Sequence, residues 1–85
     1  MEEIKQAAVR CRDRIYTLPR PNRHSDIYDR IYSENPEDLR YREDGFITTL
    51  DRFVDRHEAA VIAMDAHQII SEDFVPYTLY TEDIF

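Results

Sequence analysis

Residues 45–69 read GFITTLDRFVDRHEAAVIAMDAHQI, and two periodicities meet in them. In the first part, Phe46-Ile47-Thr48-Thr49 and Arg52-Phe53-Val54 flank Leu50-Asp51. β-branched and aromatic runs on either side of a short break predict a tight hairpin. Asp55 then offers a side-chain oxygen to the free amides of a helix start. Glu58 sits three residues on, the spacing of a capping box. Ala59, Ile62, Ala63, Ala66 and Ile69 recur at helical spacing, which predicts a helix over 56–69. Its small side chains would let it lie close against a sheet.

The same order appears upstream. Residues 4–18 read IKQAAVRCRDRIYTL, with Ala8, Val9 and Cys11 on one side of Arg12-Asp13 and Ile15, Tyr16 and Leu18 on the other. This predicts a hairpin turning at Arg12-Asp13. Pro19-Arg20-Pro21 ends it, because proline lacks an amide hydrogen and restricts its predecessor. Asn22 is the expected cap of a helix over 23–33, whose inner stripe is Ile27 and Ile31 with Tyr28 beside them. Ser33-Glu34-Asn35-Pro36 stops that helix. Residues 34–44 are polar and acidic and are expected to form a loop with room for one turn of helix. Phe74, Val75, Tyr77, Leu79, Tyr80, Ile84 and Phe85 make residues 71–85 too apolar for a free tail, and a strand near 77–80 is expected. Asp13-Arg14-Ile15-Tyr16 also resembles Asp51-Arg52-Phe53-Val54. The pattern predicts a single α+β domain over residues 1–85. Its small, mostly antiparallel sheet comes from two hairpins, with two helices packed on one face in a ββα-ββα-like layout.

Eighty-five residues make one domain with a small core, so homo-oligomerisation would be a natural source of added stability. The net charge of −7 argues against duplex DNA and anionic membrane as partners. It leaves room for a small anionic ligand in a local basic pocket. DNA mimicry is weakened because the eleven Lys and Arg are interleaved with the acids. Cys11 is alone, so no internal disulfide forms, and a reducing, cytoplasmic setting is expected. Met1-Glu2-Glu3 opens no apolar leader, and no run approaches the roughly 20 apolar residues of a membrane span.

Arg23-His24 and Arg56-His57 both fall in a predicted first helical turn. Free backbone amides make that end electropositive, so cations there are unfavourable unless an anion joins them. Arg20 lies just upstream of the first pair, and arginine grips phosphate with a planar fork. Arg20, Arg23 and His24, helped by Arg56 and His57, are therefore the expected ligand-binding residues. The competing explanation is a solvated first turn offset by Asp26, Asp55 and Glu58; it weighs more on the second pair. His24, His57 and His67 have no HxxxH or HxH spacing and Cys11 adds no CxxC, so no metal site is expected. No cofactor motif is present. A catalytic role for His24 lacks a recognisable nucleophile or oxyanion donor, so an enzyme is the less expected reading. Six tyrosines suit either the border of a small core or a binding surface.

The stretches LPRPNRHSDI at 18–27, GFITTLDRFVDRHEA at 45–59 and LYTEDIF at 79–85 resemble a family of small phage and prophage proteins. That family carries LPRPxRHxDI, then GFxTSxxRFVDRxEA, then an acidic-aromatic ending. Ser25 stands where the family usually has a second His. Asp51 and His67 stand where it has Gly. The resemblance implies a phage origin and action in the host cytoplasm, but brings no established activity. Small phage proteins of this kind often act against host defence. The primary expectation is a non-enzymatic protein capturing a small anionic, nucleotide-type ligand in an Arg/His-lined pocket. The alternatives are a module that inhibits a host protein through its acidic, tyrosine-rich surface, and a small enzyme acting on a phosphate-containing substrate.

Overall fold

The computed structural model describes residues 1–85. Strand β1 (Ile4–Cys11) turns through Arg12-Asp13 into β2 (Arg14–Thr17), and Cys11 pairs with Arg14. Helix α1 (His24–Glu34) and a 3-10 turn (Pro36–Tyr41) lead to β3 (Arg42–Thr48). Strand β4 (Phe53–Asp55) runs directly into α2 (Arg56–Asp65). The sheet order is β2-β1-β3-β4, antiparallel throughout, so the two hairpins join through β1 and β3. The predicted α+β, ββα-ββα-like fold is the one observed.

Strand parity explains the core. Val9 pairs with Tyr16, Ala7 with Phe46 and Phe46 with Val54, which sets these side chains on one face of the sheet. Both helices cover that face. Ile27 and Ile31 from α1, and Ala59, Ala60 and Ala63 from α2, join a single buried cluster with Leu79 and Ile84. Each fully buried Ile or Phe in such a cluster stabilises the fold by about 2 kcal/mol. Alanines on the inner side of α2 bring its axis close to β3 and β4. Ala8, on the opposite face, is buried outside this cluster. There the single glycine, Gly45, lies against the Phe53 ring, and the Arg10 guanidinium sits over that ring 4.6 Å from its centroid.

Four local expectations are corrected. Asn22 does not cap α1: its side-chain Nδ2 donates to the Pro19 carbonyl at 2.8 Å, and Arg23 takes the cap position. The Arg23 amide instead donates to the Asp26 carboxylate at 2.8 Å. Strand β3 begins at Arg42, inside the expected loop, because Arg42, Glu43 and Asp44 pair with Cys11, Arg10 and Val9. The Arg10–Glu43 ion pair at 2.6 Å ties that extension across the two strands. Residues 77–80 form no strand: Val75 and Thr78 make one isolated bridge, and the Leu79 amide donates to the Arg56 carbonyl at 3.0 Å. Finally, α2 stops at Asp65 rather than residue 69.

That early stop has a local cause. His67 adopts φ 58°, its amide donates to Met64 O at 3.1 Å, and the Gln68 amide donates to Ala63 O at 2.9 Å. These are the two bonds of a Schellman cap. Gln68 then turns its side-chain amide onto Ile4, accepting from its N–H at 2.8 Å and donating to its carbonyl at 2.9 Å. Asp51 has φ 60° in the second hairpin turn, where its amide donates to Thr48 O at 2.9 Å. Positive φ costs a side-chain-bearing residue about 1 kcal/mol that glycine does not incur. His67→Gly and Asp51→Gly are each expected to raise stability by about 0.5–1 kcal/mol in urea denaturation. Unchanged or lowered midpoints would show that these side chains contribute more than the strain they cause.

Candidate functional site

The first turns of α1 and α2 meet over the inner face of β3, and there the sequence-derived cluster is partly assembled. His24 is buried. Its Nε2 lies 2.8 Å from the Gly45 carbonyl and its Nδ1 lies 3.4 Å from Nη2 of Arg56. A carbonyl can only accept and a guanidinium can only donate. The ring is therefore neutral, with its proton on Nε2. Its edge packs against Phe46, with centroids 5.1 Å apart. Burial lowers the His24 pKa and the nearby Arg56 adds to the effect, against a contrary pull from the Gly45 hydrogen bond.

Arg56 is the hub. Its Nη2 pairs with Asp44 at 3.2 Å, its Nη1 donates to the Leu79 carbonyl at 2.6 Å, and its guanidinium lies 4.7 Å from the Tyr80 ring centroid. The Tyr28 hydroxyl donates to the same Asp44 oxygen. Burial, followed by the bond to Asp44, pushes the Tyr28 pKa up to about 12, which holds the phenol proton in place. The other Asp44 oxygen is buried without a hydrogen-bond partner. The four side chains bind α1, α2 and β3 together and anchor the C-terminal segment through Leu79.

The remaining expected residues lie at the edge of this network or away from it. Arg23 is exposed and pairs with Glu82 at 3.3 Å. Arg20 is exposed, with its guanidinium 4.4 Å from the Phe85 ring centroid and Nη2 3.4 Å from the Ile84 carbonyl. His57 is exposed and stacks on Tyr77, with centroids 6.5 Å apart. Residues 79–85 thus run beside Arg20, Arg23 and Arg56, and each guanidinium has an internal partner. Both ring nitrogens of His24 are occupied, and burial pushes the Cys11 thiol up, away from its nucleophilic form. Among the side chains, no group of three or more His, Cys, Asp or Glu is gathered as metal ligands.

The largest cavity lies elsewhere. A hollow of about 500 Å3 is lined by Met64, His67, Ile69, Phe74 and Pro76. Val61, Met64, Ile70, Val75 and Tyr77 are all substantially exposed, Tyr77 at 70%. A mainly apolar hollow of this volume falls in the size range of binding pockets.

The model of the Phage T4 y16D protein family matches residues 3–85. The chain belongs to that family. No curated protein and no solved structure matches the chain. No helix of this y16D-family chain is long and apolar enough to cross a membrane.

His24 and Arg56 were visible in the sequence of this family member as potential site residues, but their partners were not. Asp44 sits in a charged stretch that looks like loop, and only its parity with Phe46 on β3 turns it inward. Tyr28 follows Ile27 and reads equally well as core border. Because His24 is held neutral, its contribution to stability is present above the ordinary imidazole pKa and declines as pH falls through it. The unfolded chain gains that proton before the folded one does. Between about pH 7.5 and about pH 5.5, wild-type protein is expected to lose more stability than His24→Gln, measured by urea denaturation. Parallel pH profiles would show that His24 is not held neutral.

Proposed function

We propose that this phage protein is a non-enzymatic binder of a host protein, acting as an inhibitor of host defence. The contrast between its two surfaces carries this reading. The arginines of the Arg/His cluster already contact the chain's own residues 79–85, whereas the apolar hollow beside α2 is open, is lined by exposed Met64, and has exposed Ile70, Val75 and Tyr77 next in sequence to its lining residues. Exposed apolar surface gathered in one place is the usual mark of a protein contact. A pull-down from host lysate should recover one stoichiometric partner, retained by Arg23→Ala and lost by Met64→Glu. Recovery of no partner, or of one lost with Arg23→Ala and kept with Met64→Glu, would count against it.

One observation favours capture of a small anionic, nucleotide-type ligand instead. Arg20 has no carboxylate partner, and it shares residues 79–85 with Arg23 and Arg56. An anion would have to displace Glu82 from Arg23 and move the C-terminal segment. Titration calorimetry against cyclic dinucleotides and ADP-ribose derivatives checks this, with Arg23→Ala as the control that should abolish any binding.

A further inference from the structure

Resting on the protein-binding reading, we infer that the hollow receives a basic amphipathic helix of the partner, with an apolar side chain seated between Met64, Ile69 and Phe74. The charge of the chain is divided in a way that its total conceals. All eleven Lys and Arg fall within residues 1–56, where twelve acids nearly balance them. Residues 57–85 hold Glu58, Asp65, Glu72, Asp73, Glu82 and Asp83 and no Lys or Arg. That final segment therefore carries −6 of the net −7.

The geometry separates the acids that are free from those that are used. Glu58 pairs with Arg52 at 2.9 Å, Glu82 pairs with Arg23 at 3.3 Å, and Asp83 is buried, accepting the Tyr80 amide at 2.9 Å. Asp65, Glu72 and Asp73 are exposed and lie within 4 Å of no Lys, Arg or His nitrogen. Asp65 follows Met64, and Glu72-Asp73 lies between Ile69 and Phe74 just before Phe74, so the chain carries all three acids within three residues of the lining. Unpaired carboxylates beside an apolar depression favour cations beside an apolar anchor.

The shape of the apolar surface favours a helix. His57, Val61 and Met64 are spaced i, i+4 and i+7 along the exposed side of α2, and Met64 reaches the hollow. Tyr77 stacks on His57 and borders the same stripe. Val61 and Met64, with the His57–Tyr77 ring stack beside them, make a short exposed stripe that ends in a pocket and suits apolar anchors one turn apart. Methionine in the lining adapts to the shape of the anchor. A second copy of this chain fits poorly. A two-fold contact through this face would bring the Asp65, Glu72 and Asp73 carboxylates of both copies into one interface, with no Lys or Arg in residues 57–85 to offset them.

The test uses the full chain and a fluorescent helical peptide of about four turns, with Leu at the anchor positions and Lys or Arg elsewhere. Fluorescence anisotropy should show saturable binding. It should weaken about tenfold or more from roughly 0.05 M to roughly 0.5 M salt, since exposed charge pairs are screened over that range. Met64→Glu and the triple variant Asp65→Lys/Glu72→Lys/Asp73→Lys should each reduce affinity about tenfold or more, with circular dichroism confirming that both fold. Equal binding of a peptide with Glu in place of every Lys and Arg would overturn the inference. So would undiminished binding by either variant, or no binding by wild type. Concentration-dependent self-association abolished by Met64→Glu would also overturn it, by assigning the face to a second copy. If lysate capture succeeds and depends on Met64 while the basic peptide fails, only the helix chemistry falls. If capture itself fails, the protein-binding reading falls with it.

Discussion

Arg56→Met is expected to lower the unfolding free energy by about 3 kcal/mol, because it leaves Asp44 charged and largely buried without its cation. Arg56 and Asp44 side chains retain 22% and 24% of their exposure, so the pair lies nearer the interior than the surface. The loss compounds several contacts. Arg56 also holds the Leu79 carbonyl at 2.6 Å, and Tyr28 shares the Asp44 oxygen that Arg56 contacts. Adding Asp44→Asn should recover part of the loss, since the orphaned charge is then gone. His57→Ala, one residue away, should stay within about 0.5 kcal/mol of wild type because His57 is exposed. Urea denaturation of the four proteins measures all of this. A loss below about 1 kcal/mol for Arg56→Met would show that Arg56 is not the hub of this network.

Gly45→Ala should be comparably severe, at about 3 kcal/mol or more. Gly45 sits in the middle of β3, where glycine would ordinarily weaken a strand. A β-carbon there would collide with the Val54 carbonyl oxygen and with the Phe53 ring. The ring could swing away, but the carbonyl belongs to the neighbouring strand and cannot move without breaking the β3–β4 pairing. Gly45→Ala/Phe53→Ala is therefore expected to remain as unstable as Gly45→Ala. Recovery in the double variant would place the conflict in the ring alone. The Gly45 carbonyl also accepts from His24, so displacement of β3 would disturb the buried network as well.

These two residues show how far the sequence could be read. Asp55 and Glu58 announced the start of α2, and the Asp55 side chain does accept the Glu58 amide at 2.8 Å. Both hairpins and the inner stripe of α1 followed from short-range pattern, because such features depend on residues a few positions apart. The end of α2 was missed because Ala66 and Ile69 continue the helical spacing while His67 takes a left-handed conformation that its residue type does not announce. The extra residues of β3 were missed because charged residues seldom mark a strand, yet here they pair across to β1.

The sequence by itself determined the two ββα units, the lone cysteine, the family motifs and the concentration of acid in the last third of the chain. It also marked Arg56-His57 as the pair better explained by an ordinary capped helix start, and placed the expected site at Arg20, Arg23 and His24. The tertiary structure instead drew Arg56 into the buried network with His24 and left Arg20 and Arg23 exposed. Register on β3 turned Asp44 inward toward Arg56, and residues 79–85 folded back over the guanidinium groups. It also left the outer side of α2 bare beside an apolar hollow. Local pattern carries helix caps and turns because their partners are near in sequence. Which charge is buried and which apolar face stays open depends on contacts between residues tens of positions apart, and these exist only once the sheet has closed.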